Sequence, residues 1–373
     1  MTRLTRREAL ALLGAALPAA KEAPTAPVAV ARCRTYDQEM AATLSTMIGQ
    51  LGGLERLVRN KTVTIKLNLT GSPGLKVEGK ALGLTHYTHP SMLEAFLHLL
   101  DRAGARRIRL VESCWATAAP LEEYMLDSGW RVRRFLSASS KVEFENTNAL
   151  GNGKRYSRLQ VPGGGHMFSA FDLNHSYEDT DVFMTMAKLK NHETCGVTLS
   201  LKNSFGITPA SIYGDDAGVD EPNEKPEKGR GSVLHAGKRA PARSAPGEHR
   251  PGANKDSGYR VPRIVADLNA ARPLDFAIID GIETITGGEG PWIRGVRPAS
   301  PGVLIAGFNP VATDAVATAI MGYDPRASRG TAPFQDCDNT MTLAEAHGIG
   351  TTDLKRIEVR GAPIREALYR FPA

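Results

Sequence analysis

Asp181-Val182-Phe183-Met184-Thr185-Met186-Ala187-Lys188-Leu189-Lys190-Asn191-His192 decides how this chain is read. Asp181 to Ala187 reads as a strand, apolar through Met184 and Met186, after which Lys188, Lys190 and His192 fall at one parity. Alternate side chains of an extended chain share a face, so the carboxyl end of this strand gathers charge. Outward from it the same plan recurs. Val28 to Cys33, Val63 to Leu69, Ile108 to Glu112, Arg131 to Phe135, Ser157 to Val161, Phe276 to Ile279 and Val303 to Ala306 read as further strands. Helices are expected at Gln38 to Val58, with Met40, Leu44, Met47, Ile48, Leu51 and Leu54 at helical spacing, and at Leu121 to Asp127 and Gly196 to Phe205. Pro90 opens another that ends at Gly104, and Asn309-Pro310 caps one that stops at Gly322. The alternation predicts an α/β fold with a largely parallel sheet flanked by helices.

A chain of 373 residues exceeds the size at which a single core usually keeps growing, so one large unit or two closely packed lobes are expected. With 42% hydrophobic and 23% charged residues it can fill a core, which excludes collagen, coiled coil and wholesale disorder. The balance of 46 Lys+Arg against 40 Asp+Glu, net +6, gives no argument for nucleic acid. Cys33, Cys114, Cys195 and Cys337 form no C-x-x-C, so no intrinsic iron-sulfur cluster is expected.

Residues 1–27 read as an export signal and linker, and residues 28–373 as a single α/β domain. Arg3, Arg6 and Arg7 precede the apolar stretch Ala9 to Ala20, and Thr5-Arg6-Arg7-Glu8-Ala9-Leu10 resembles a twin-arginine signal. The expectation is a periplasmic or otherwise exported protein that meets the twin-arginine machinery. No other segment is apolar for the ~18 residues a membrane span needs. Asp215 to Arg263 is rich in Pro, Gly and charge, with Val219, Val233, Leu234 and Tyr259 as its main apolar residues; a long mobile, disordered insertion is expected there.

The chemistry lies where strands end. Lys66 and Asn68 share a face, Ile108 to Ser113 ends in Glu112, and Phe276 to Ile279 stops at Asp280-Gly281. In open α/β sheets ligands sit outside these carboxyl ends. In Thr198-Leu199-Ser200-Leu201-Lys202-Asn203-Ser204-Phe205-Gly206, Lys202 lies one helical turn beyond Thr198 and adds a further ammonium. Clustered cations need an anionic ligand or carboxylate partners such as Glu112 and Asp280, and both readings stand. The ligand-binding set is therefore Lys66, Asn68, Lys188, Lys190, Lys202 and Asn203; the candidate proton carriers are His192, Asp280 and Glu112. A divalent metal is considered at Asp280 and Asp314, with His86, His89, His192, His235, Glu112 and Glu289 as further donors. Asp314 serves equally as a structural partner near its helix start. The Gly287-Gly288-Glu289-Gly290-Pro291 run lacks the spacing of a phosphate loop, Pro162-Gly163-Gly164-Gly165-His166 reads as a hairpin connection, and no G-x-S-x-G elbow occurs.

The order Lys66-x-Asn68, Lys188-x-Lys190-x-His192, Thr198-x-x-x-Lys202-Asn203-x-x-Gly206, Asp280-Gly281 with Gly288-x-Gly290-Pro291, and Asp314-x-x-Ala317 resembles the domain of unknown function 362 family, over roughly Lys61 to Gly361. The resemblance implies no activity, since the family's is unassigned. Some of its members are fused to ferredoxin-like clusters, which this chain lacks, leaving a separate redox partner open. Two readings follow: an exported enzyme acting on a small carboxylate or phosphate compound in a Lys/His/Asp crevice, or a non-catalytic exported ligand-binding or cofactor-maturation protein.

Overall fold

Eight strands form the central sheet of the structure, a computed structural model that describes residues 23–372. They are β1 (Val28–Arg32), β2 (Thr62–Lys66), β3 (Arg107–Glu112), β4 (Val142–Asn146), β5 (Val182–Lys188), β6 (Phe276–Gly281), β7 (Val303–Gly307) and β8 (Val359–Gly361), in the spatial order β8-β1-β7-β6-β5-β2-β3-β4. Every pairing is parallel except those of β7, which runs against both β1 and β6. From β2 the chain winds outward through β3 to β4, then returns to the other flank of β2 as β5. That reversal makes a crevice at the carboxyl ends of β2 and β5, the place where open α/β sheets accept ligands.

Helices cover both faces. On one lie α1 (Gln38–Gln50) and α2 (Pro90–Arg102), whose Leu44, Met47, Phe96 and Leu97 pack against Val63, Ile65, Met184 and Met186 of the sheet. Asp37 caps α1 by accepting from Glu39 N, and His89 caps α2 with Pro90 at its first position. On the other face α3 (Leu199–Asn203), α4 (Ser257–Ala271) and α5 (Pro310–Ile320) enclose Phe183, Ala187, Ile279 and Ile305. Asn309 caps α5 through Ala312 N as its sequence predicts.

Four expectations are corrected. The helix expected over Gln38 to Val58 breaks after Gln50, because Gly52 and Gly53 adopt φ of +98° and +83°, and resumes as Glu55–Val58. Arg131 to Phe135, expected as a strand, opens a helix instead, Val132–Ala138, which buries Phe135 and Ala138 three apart and sets Phe135 against Trp130. Gly196 and Val197 leave the helix expected there to pair with Asn191–His192 in a small ribbon. The boundary placed at Arg263 falls inside α4. Within 215–263, Val233, Leu234 and Arg260 are fully buried, and Arg260 pairs with Glu248. Average composition hid these anchors, since a few well-placed apolar groups and internally paired charges suffice to seat a polar segment. The residues of the expected export signal, apart from the linker after Lys21-Glu22, lie outside the described residues. Among the described residues no helix is long and apolar enough to cross a membrane.

Candidate ligand cavity

The crevice at the carboxyl ends of β2, β3 and β5 opens into a cavity of about 350 Å³, within the range of small-molecule sites. Its basic walls come from four directions: Lys66 at the end of β2, Lys190 just beyond β5, Lys202 on α3, and Arg230 from the segment between α3 and α4. Glu112 and Glu289 are the carboxylates of the lining, so four cationic side chains face two anionic ones.

Only part of that charge is neutralised. Lys66 Nζ lies 2.5 Å from Glu112 Oε1, both buried, while Glu112 Oε2 accepts from Leu69 N at 2.8 Å. Gly206 makes room for this pair: a Cβ there would stand 2.9 Å from Lys66 Nζ and 3.1 Å from Glu112 Oε1. Among the described residues Lys190 Nζ donates only to carbonyls, His86 O at 3.1 Å and Glu289 O at 3.0 Å. Burial pushes its pKa down to about 7, against the opposing pull of Glu289. Arg230 likewise donates to Thr208 O at 2.7 Å and Ser113 O at 3.1 Å. Lys202 Nζ sits over the Phe205 ring, 4.2 Å from its centroid, and among the described residues it has no carboxylate within ion-pair distance.

Asn68 and Asn203 form the floor. Asn68 Nδ2 donates to Asn203 Oδ1 at 2.6 Å, Asn203 Nδ2 donates to Thr185 Oγ1 at 2.7 Å, and Asn68 Oδ1 is a buried acceptor without a partner among the described residues. His192, held by the ribbon, accepts Thr194 N at its Nδ1, 3.1 Å away, which assigns a neutral ring's proton to Nε2. Burial drives its pKa well below the usual histidine value, and His235 goes down to about 3 for the same reason. Glu289 stands 3.8 Å from His192 Nδ1 and accepts from Glu193 N and Trp292 Nε1, each at 3.0 Å. Trp115 and Trp292, both close to half exposed, flank the mouth.

The structure therefore gathers Lys66, Asn68, Glu112, Lys190, His192, Lys202 and Asn203 around one space and leaves three other expected residues out. Lys188 and Asp280 lie on the α1/α2 face, in register with each other on adjacent strands, with Lys188 Nζ 2.7 Å from Asp280 Oδ2. Lys188 Nζ also donates to Gly83 O and Glu283 O at 2.7 Å, and Asp280 accepts from Tyr36 OH and Ile282 N. Asp314 is buried beneath the start of α3, accepting Ser200 N and Leu201 N at 2.9 Å and the Ser200 hydroxyl, and burial lifts its pKa to about 7. For the cation expected at Asp280 and Asp314 the structure offers no cluster of three metal-ligating groups among the described residues, and a cation there would compete with the internal donors that both carboxylates already accept. His86 and His89 also part ways, His89 stacking on Tyr36 while His86 meets Trp292 edge-on. The sequence reading missed Arg230, Trp115 and Trp292. No local signal marks Arg230, which sits in the most polar stretch of the chain.

Fold and cavity define a mostly parallel α/β protein with a cation-rich pocket at its topological switch point. The chain belongs to the family described as Domain of unknown function (DUF362), whose model matches residues 63–319. It is similar to the thylakoid-associated protein sll1697 of Synechocystis sp. (strain ATCC 27184 / PCC 6803 / Kazusa), at 24% identity over 300 residues, covering 80% of this chain and 75% of that protein. Among solved structures, a Thermotoga maritima protein aligns at TM-score 0.37 and 14% identity, covering 74% of this chain and 56% of its own. The lactate racemase apoprotein from Thermoanaerobacterium thermosaccharolyticum aligns at TM-score 0.35 and 11% identity, covering 74% and 54%. This chain thus spans little more than half the length of either solved protein.

Proposed function

We propose that this protein is an enzyme that binds a small carboxylate- or phosphate-bearing compound in the cavity and moves a proton on it. One observation carries the reading: Lys190, Lys202 and Arg230 converge on one space, and among the described residues no carboxylate lies within ion-pair distance of any of them. Buried cations raise one another's energy unless an anion joins them, so a bound anion supplies what the lining lacks. Lys202 and Arg230 hold the anion. Lys190, whose pKa falls near neutrality, is the group suited to give or take a proton, and the Nε2–H of neutral His192 is suited to donate a hydrogen bond to the ligand. The indoles of Trp115 and Trp292 favour a ligand with an apolar or planar part.

Titration calorimetry with citrate and with inorganic phosphate tests the reading on the wild-type protein and on Lys202→Ala. Saturable binding that weakens by about 1.5–3 kcal/mol in the variant, the scale of a charge-assisted hydrogen bond, supports it. Equal affinity in both proteins places the anion elsewhere. The same proposal includes export of the folded chain through the Arg6-Arg7 signal. Replacing both arginines by Lys should retain the protein in the cytoplasm, and an unchanged periplasmic yield rules that route out.

A further inference from the structure

The loop Pro162-Gly163-Gly164-Gly165-His166 links the two strands of a hairpin, Ser157–Gln160 and Ala170–Leu173, on the surface away from the cavity. It does more than turn the chain. Its end wraps the carboxylate of Asp267, a fully buried residue of α4: His166 N donates to Oδ1 at 2.6 Å, while Met167 N and Phe168 N donate to Oδ2 at 2.7 and 3.0 Å. Gly165 is required for that wrap. Its φ is +75°, and a Cβ there would overlap Phe168 O at 2.0 Å and press on the Asp267 carboxyl at 3.1 Å.

A second histidine closes on the same carboxylate. His347, which ends the helix Thr340–Ala346, places Nε2 2.9 Å from Asp267 Oδ1, and its ring lies 4.3 Å from that of His166, centroid to centroid. Among the described residues Asp267 has no Lys or Arg partner, and its one ion-pair contact is this histidine. A fully buried carboxylate is thus held by backbone dipoles and one imidazole, with a second imidazole packed alongside. Two imidazoles this close cannot both carry a proton without repelling each other, whereas a single divalent ion would satisfy both rings and the carboxylate at once.

We propose that His166, Asp267 and His347 bind a borderline divalent transition-metal ion, zinc(II) or a first-row neighbour. One ligand atom from each residue lies within 4.8 Å of the others. Tetrahedral ligands at about 2.0–2.1 Å from zinc stand roughly 3.3 Å apart, so small side-chain rotations bring the three donors into place. Two imidazoles and one carboxylate suit zinc, cobalt, nickel or iron and do not suit magnesium or calcium, which take oxygen ligands. The backbone N–H groups on Asp267 fix the carboxylate as outer partners of metal ligands commonly do. His347 must offer a lone pair at Nε2, so the proton there moves to Nδ1 or to solvent on binding. Three protein ligands leave a coordination position for water, and both histidines reach solvent. The ion would clamp the hairpin loop, α4 and the helix ending at His347 to one another.

The test uses tag-free full-length protein stripped with a chelator. Zinc(II) affinity is measured by competition with a chromophoric chelator, and cobalt(II) binding by its visible absorption, for wild type, His166→Ala and His347→Gln. The glutamine can still donate to Asp267, so the metal-free contact and the fold are preserved in that variant. One saturable equivalent in wild type, weakened tenfold or more in both variants, is the expected result. Zinc should also raise the melting temperature of wild type and leave that of both variants unmoved. Absence of saturable binding by wild type, or wild-type affinity in both variants, overturns the site.

Discussion

Lys188 and Lys190 stand two residues apart at the end of one strand and meet opposite fates. Lys188 continues the strand face of Met184 and Met186, under α1 and α2, where Asp280 lies in register beside it and two carbonyls complete its hydrogen bonds. Lys190 lies past the last ladder position, lines the cavity with Lys202, and donates to carbonyls; among the described residues it makes no ion pair, and the Glu289 carboxylate acts on it from beyond that distance. The first lysine is neutralised by the fold. The second is left for a ligand. A count of lysines at one strand end therefore overstates the binding site and understates the internal ion pairs.

The comparison breaks most readily at Asp280. Asp280→Asn should cost about 3–5 kcal/mol of stability, because it strands a buried ammonium, and the denaturant midpoint measures this. Binding of citrate or phosphate to the fraction that stays folded should be unchanged. Normal stability with lost binding would move Asp280 into the site. Lys202→Met and Arg230→Met should do the reverse. Each lowers anion affinity by about 1.5–3 kcal/mol, and each leaves the melting temperature of the ligand-free protein equal or higher, since an uncompensated buried charge is gone. A destabilisation as large as that of Asp280→Asn would erase the distinction.

The comparison also carries a dependence on pH with a defined sign. Lys190 titrates near 7 in the folded protein, far below a lysine's ordinary value of 10.5. Between these two values the unfolded chain binds the extra proton, so the ligand-free protein gains stability from this group as pH rises from about 7 towards 10.5. Anion affinity should move oppositely, falling as pH passes through 7 and the ammonium is lost. Lys190→Met should flatten both profiles, and calorimetry and melting curves across that range measure them. Profiles that are already flat in wild type would show Lys190 to be an ordinary paired lysine.

Much of the scaffold was legible because its determinants are local. Pro90 and Asn309-Pro310 mark helix starts by removing or capping donors that have no intrahelical partner, and the structure places both helices there. The strand ends at Lys66, Glu112 and Asp280 were equally visible as apolar runs turning polar. Arg131 to Phe135 was misread because a short run with Val and Phe fits either period, and only contact with Trp130 and the neighbouring helices selects one. The direction of β7 was invisible, since an apolar strand reads alike in a parallel or an antiparallel place.

By itself the sequence determined the α/β alternation, the helix caps and which charged residues lie near the sheet's carboxyl edge, because strand period, helix period and proline geometry act over a few residues. It fixed that Lys188 shares a face with Met184 and Met186. Which charges then meet was decided by tertiary structure alone. Lys66 points to the face of Thr185 and Asn203, Lys188 to the face of Asp280, and Arg230 arrives from 28 residues beyond Lys202 on a segment whose composition suggested no anchor. The physical reason is that pairing energy between charges depends on separation in space and on the surrounding dielectric. Strand register and loop return set both, and neither is written in the spacing of residues along the chain.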